Sequence, residues 1–196
     1  MSKAKETKEK ILKQAAELFN QHGYSGSSIS DIMRATGLQK GGIYNHFKSK
    51  QELALEAFDF AARYNSKHIL VALKGKQNVV ERLQAILAVF SSYVDSPPLA
   101  GGCPILNTAI ESDDANPALR ERVQQAMNSW RNLICRIINK GIANGEISST
   151  VEADTVATIM ISTLEGAIMM SKLYGDSIHM KRAVNHLTDY IKKLQM

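Results

Sequence analysis

Apolar residues recur at helical spacing from one end of this chain to the other, and the alternate-residue pattern of a half-buried strand is absent throughout. That property confines the fold to packed helices. In KEKILKQAAELFNQHG the residues Ile11, Leu12, Ala15, Leu18 and Phe19 form one apolar face, and Gly23 is placed to stop the helix. GSSISDIMRATG follows. Ser28 and Asp31 have capping-box spacing and open a helix of little more than two turns, closed by Gly37. After Leu38 a third helix spans about 39–46, and Ser49 with Glu52 launches a fourth from Lys50 to about Lys74. Further helices are expected at about 77–95, at 103–114 from Cys103 or Pro104, at about 116–143 behind Asn116-Pro117, from Asp154 or Thr155 to Tyr174, and at about 179–195. The expectation is an all-α chain of about nine helices. With 44% hydrophobic and 22% charged residues, 196 residues can build a substantial core in one domain or two without disulfides or metals.

The third helix is built against its own stability. Its QKGGIYNHF contains Gly41 and Gly42 side by side, and each glycine in a helix interior costs roughly 1 kcal/mol relative to alanine. Lys40, Tyr44, His46, Lys48 and Lys50 surround them. Charge is concentrated in the same region. Residues 1–50 hold nine Lys and Arg against four Asp and Glu, a net of +5, whereas 51–196 hold fifteen of each. A polyanion partner for the first quarter explains this better than a solvated basic tail, which accounts for Lys3, Lys5, Lys8 and Lys10 but not for the cations from 34 to 50.

Two short helices joined by a tight turn, with one helix before and one after, make a helix-turn-helix at about 28–47, whose second helix enters the major groove of DNA. Missing side chains at Gly41 and Gly42 then give clearance for the duplex. Lys40 is placed for a base edge or phosphate, and Tyr44 and His46 for phosphate oxygens. Lys50 can join backbone N–H groups at the next helix start, and Ser27 and Ser28 can do the same at the second helix. Ile43 and Phe47 are the positions that pack on Ile29, Ile32, Met33 and Leu18. Any one of these residues alone is an ordinary surface feature. The whole string, ILKQAAELF, Gly23-Tyr24, Ser27-Ser28 and GLQKGGIYNHFKSKQEL, resembles the tetracycline-repressor family of bacterial regulators over about 5–65. It departs from that pattern at Gln39, where Ser or Thr is common, and at Gly42, where a small side chain often stands. The resemblance implies a DNA-binding domain at 5–65, an effector-binding and dimerisation domain at 66–196, and a homodimer released from operator DNA by a small molecule.

The C-terminal residues carry less. Ala157, Ser162, Gly166, Ala167, Met169 and Met170 fit either a four-helix interface between two copies or plain core. Trp130 can fill core or stack on a ligand. Cys103, after two glycines and before proline, stands at a helix start, where a thiolate is stabilised; it reads as a sensor thiol or as a buried inert residue. Asn107, Trp130 and Met169 join Cys103 as candidate effector residues, and the neutral Met-rich, aromatic and aliphatic domain suits a largely apolar effector. Cys103 and Cys135 lack metal-ligand spacing, and the histidines at 22, 68, 179 and 186 share none, so neither metal nor cofactor is expected. MSKAKETKEK lacks a signal-peptide apolar region, and the apolar stretch at 156–170 is short and carries Glu165, so a cytoplasmic protein without a membrane partner is expected. Two rival functions remain: an enzyme using Cys103 as nucleophile, for which no hydrolase elbow or phosphate loop is present, and a non-specific DNA binder, for which the neutral C-terminal part is superfluous.

Overall fold

The computed structural model describes residues 2–112 and 116–195. Among them are nine helices and no strand; one isolated antiparallel bridge pairs Ile147 with Gln195. α1 (Lys3–Gly26) is interrupted at Gly23, whose φ of 77° and ψ of 163° lie outside the helical basin, in a region open to glycine because it has no Cβ. The helix expected to stop there does break, and then makes one more turn. α2 (Ile29–Thr36) has the expected Ser28 box and ends at Gly37 in the left-handed conformation. α3 (Lys40–Tyr44) is shorter than the 39–46 expected, since the chain turns at Asn45 to bring Phe47 inward. α4 (Lys50–Ala72) starts behind Ser49, whose hydroxyl accepts the Glu52 amide at 3.1 Å; the Glu52 carboxylate takes the Lys48 N–H, closing a box one residue wider than the expected one.

α5 (Val79–Asp95) is capped by Asn78, and α6 (Pro104–Ser112) begins directly after Cys103. The last two residues of the helix expected at 103–114, 113 and 114, lie outside the described residues. α7 (Pro117–Ala143) starts as Asn116-Pro117 foretells, with the Asn116 side chain accepting the Leu119 amide. α8 (Ala153–Tyr174) starts one residue ahead of the Asp154 or Thr155 expected. Glu152, rather than Asp154 or Thr155, holds the helix start, its carboxylate accepting the amides of both at 3.0 and 2.6 Å. A negative charge there also complements the helix dipole. α9 spans Ile178–Lys193.

The helices form two compact units that do not follow a single cut in the sequence: Met1–Asn65 with Leu99–Ala126, and Ser66–Pro98 with Met127–Met196. In the first, Ile11, Leu12, Ala15 and Ala16 of α1 meet Ile32 of α2, Ile43 of α3, Phe47, and Leu53, Ala57 and Ala61 of α4 in one apolar cluster. Each such large side chain, fully buried, contributes about 1.5–3 kcal/mol. That core fixes the angle at which α2 and α3 leave α1. In the second unit α5, α8 and α9 pack on one another, and they bury Leu83, Ile86 and Phe90, Met160, Leu164 and Ile168, and Leu187 and Ile191 respectively. By length and composition α8 passes for a membrane span, but half of its most apolar window is buried in protein together with Glu165.

Candidate nucleic-acid interface

The motif is held by local hydrogen bonds and one shared core. Ser28 Oγ accepts the Asp31 amide at 3.2 Å, while the Asp31 carboxylate accepts from the Ser28 amide at 2.8 Å and its hydroxyl at 2.6 Å. The Ser28 hydroxyl and amide hold the Asp31 carboxyl below its usual value, with Arg34 and His22 adding to the effect. Lys10 of α1 donates to the Thr36 carbonyl at 2.7 Å, placing a cation at the C-terminus of α2. Ile43 and Phe47 are both buried against Ile32, with Leu18, Ile29, Met33 and Leu38 around them. α3 is therefore pinned by its inner face, and its outer face is left to solvent.

That outer face carries Lys40, Gly41, Tyr44 and Asn45, all exposed, with Gln39 at its start. The Lys40 ammonium lies over the Tyr44 ring at 5.8 Å from its centre. Gln39 makes no side-chain cap. Neither glycine of the pair is demanded by the other described residues. Both have negative φ; a Cβ at Gly41 would meet nothing within 4 Å, and one at Gly42 only Leu38, at an ordinary 3.6 Å. His46 is half-buried beside Phe47, with its ring centre 6.3 Å away.

Two of the expected DNA-facing residues are differently employed. Ser27 is 3% exposed, and its hydroxyl donates to the Gly23 carbonyl at 2.8 Å, so it does not face solvent as its position next to Ser28 suggests. The Lys50 ammonium donates to the Tyr24 carbonyl at 2.6 Å and sits 4.2 Å from the centre of that ring, joining α4 to the end of α1 instead of standing free at its own helix start. The Ser28 hydroxyl is exposed but gives its proton to Asp31. Gln39 and Asn45, exposed amides suited to hydrogen-bonding adenine, escape a sequence reading that follows cations and rings.

The candidate effector residues are divided between the two units, Cys103 and Asn107 in the first and Trp130 and Met169 in the second. Asn107 donates its amide to Asn20 and to the Gly101 carbonyl, which employs it structurally. Cys103 is in no disulfide and is 2% exposed at the N-cap of α6, its carbonyl accepting the Asn107 amide. Trp130, buried, stacks on Phe90 at 4.4 Å with the rings 5° from parallel, and Tyr93 continues the cluster. Its indole N–H meets no acceptor among the described residues. Met169 is 49% exposed on α8, on a surface with Met170, Leu173, Tyr174 and Ile178, and lines no interior. Among the described residues no cluster of three metal-ligating side chains occurs.

The chain matches two family descriptions: "Bacterial regulatory proteins, tetR family" over residues 11–57, and "Tetracyclin repressor-like, C-terminal domain" over residues 79–187. It is similar to the crystal structure of a TetR transcriptional regulator from Chloroflexus aurantiacus J-10-FL, with 50% identity, coverage of 100% of this chain and 98% of that one, and a TM-score of 0.96. A TetR-family regulator from Cytophaga hutchinsonii shares 32% identity over 100% and 98% of the two chains, with a TM-score of 0.92. The HTH-type transcriptional regulator LmrA of Bacillus subtilis (strain 168) is 28% identical over 96% of this chain and 98% of its own.

Proposed function

Since the chain belongs to the tetR family of bacterial transcriptional regulators, we propose that it is a homodimeric repressor that binds a palindromic operator through α3 and leaves it when a largely apolar small molecule binds. Residues 5–65 carry DNA recognition, and 66–196 carry effector response and dimerisation. The observation that supports this best is the unexplained glycine pair. Gly41 and Gly42 weaken α3, and nothing among the described residues needs them. Gly41 is exposed beside Lys40 and Tyr44 on the outward face, where close approach of a duplex needs a missing side chain, and Gly42 follows it, half-buried beside Leu38. Lys40 and the amides of Gln39 and Asn45 then read base edges, while Tyr44 and His46 hold phosphates.

Dimerisation through α8 and α9 is supported by the cluster of Met169, Met170, Leu173, Tyr174 and Ile178, since Leu173 and Tyr174 are 74% and 65% exposed. A second copy of the same face covers them in an isologous contact and sets two recognition helices on one side of a duplex. Repression follows from occupying the promoter, and the protein works in the cytoplasm where that DNA is. The Phe90–Trp130 stack, with its unmatched indole N–H, supports an effector that is mostly apolar with a hydrogen-bond acceptor. Control through Cys103, like an enzyme using it as nucleophile, is disfavoured by burial of the thiol. Hydroxyl-radical footprinting on DNA upstream of the protein's own gene tests the reading. Two protected half-sites, separated by one duplex turn of about 10 bp or a multiple of it, are expected. Uniform protection at all protein concentrations contradicts it.

A further inference from the structure

We propose that Glu111 of α6 is the positioning residue of the DNA-binding motif: it latches the corner between α1 and α2 and so links any movement of α6 to the recognition helix. The proposal rests on the DNA-binding reading above. At the Gly23 break the amides of Tyr24 and Ser25 donate to the two carboxylate oxygens of Glu111 at 2.7 and 2.8 Å. Hydrogen bonds from backbone amides to an ionised carboxylate are about twice as strong as neutral ones. Gly23 is fitted to this contact. Besides its positive φ, a Cβ there would lie 2.9 and 3.0 Å from the two Glu111 oxygens, so a side chain would evict the carboxylate.

The corner is held from the other side as well. The Tyr24 carbonyl accepts from Lys50 at the head of α4, and the Ser27 hydroxyl returns to the Gly23 carbonyl. The next residue, Ser28, is the N-cap of α2. Residues 23–27 are thus clamped between α6 and α4 and run straight into the motif. α6 has a second tie to α1, four residues earlier on the same helix face. Asn107 donates to the side-chain and backbone oxygens of Asn20 at 2.9 and 3.0 Å, and Asn20 donates to the carbonyls of Ala100 and Gly102 at 2.8 and 3.0 Å. A shift of α6 has to move or release the corner that starts α2. By linkage, DNA bound to the motif must then bias α6 in turn.

Amide hydrogen exchange on the full chain tests this, free and bound to a duplex from upstream of its own gene, in wild type and Glu111→Gln. Glutamine keeps the shape but turns an NH2 group toward one of the two amides. In wild type, DNA should slow exchange at both 40–47 and 104–112. In the variant, binding should weaken, so that slowing at 40–47 is reduced at equal duplex concentration, and the slowing at 104–112 should be lost even at saturation. A variant that melts like wild type yet no longer binds the duplex supports the latch more strongly still. Should Glu111→Gln fail to fold, Glu111→Asp, which keeps the charge but retracts the carboxylate, is judged by the same criterion. Slowing at 104–112 that survives in the folded variant, or that is missing in a DNA-bound wild type, overturns the latch and leaves DNA binding standing. A wild type that does not bind the duplex overturns the DNA-binding reading, and the latch with it.

Discussion

Replacing Gly41 and Gly42 together by alanine should make the protein more stable and worse at binding DNA. Both glycines have ordinary negative φ, a Cβ at 41 meets open space, and a Cβ at 42 gains a van der Waals contact with Leu38 at 3.6 Å. Alanine in a helix interior is favoured over glycine by about 0.5–1 kcal/mol. Because α3 has only five residues and both sites lie in its first turn, a combined gain of about 1 kcal/mol is the reasonable figure. In a chain of this length that raises Tm by about 2–4 °C. Binding should move the other way. A methyl group at 41, on the face that approaches the duplex, holds Lys40 and Tyr44 back from their contacts, and losing one good base contact costs about 1–3 kcal/mol, or about 10–100-fold in Kd. Thermal melting and fluorescence anisotropy on the same preparations, at one fixed salt concentration, measure both effects. A fall in Tm refutes the assignment of the pair to an unstrained helix, and unchanged affinity refutes the clearance argument.

Lys40→Ala should cost about 1–3 kcal/mol of operator binding and relax specificity at one position per half-site, as read by a panel of point-mutated duplexes. Tyr44→Phe should instead weaken all sequences alike, which the same panel measures. Gly166→Arg should leave a folded protein, because a Cβ there meets nothing within 4 Å, yet sediment as monomer and lose operator binding, since an unpaired charge in an apolar seam is strongly unfavourable. Acid should expose the Ser28–Asp31 box: the Asp31 carboxyl is depressed below 3.8, so its contribution is complete above about pH 4 and vanishes as pH falls through the lower folded value. Melting curves of Asp31→Asn should therefore fall less steeply than wild type below pH 4.

What the sequence carried was local. The period of Ile11, Leu12, Ala15, Leu18 and Phe19, the Ser28–Asp31 spacing and the glycines at 23 and 37 act within a few residues, and the helices they announce are present. The inner face of α3 was legible for the same reason, since Ile43 and Phe47 are four apart. Contacts between distant segments were not. Ser27 looks as free as Ser28 until the Gly23 break turns it inward, and Lys50 looks like a phosphate ligand until the Tyr24 carbonyl, twenty-six positions away, is placed beside it. Glu111 and Asn20 carry no motif; their meaning lies in bonds that span more than eighty residues. The start of α8 differs for a smaller reason. Asp154 and Thr155 favour helix starts, but the longer Glu152 side chain takes the amides of both and lets the helix begin at Ala153.

The most direct test of DNA recognition by α3 is a competition titration of the purified protein against its own upstream duplex and a scrambled duplex of equal length. The predicted result is binding to the upstream duplex at least about 10³-fold tighter than to the scrambled one at physiological salt. Equal affinity for the two, falling together as salt rises, would contradict it and leave the basic N-terminal unit as a non-specific DNA binder.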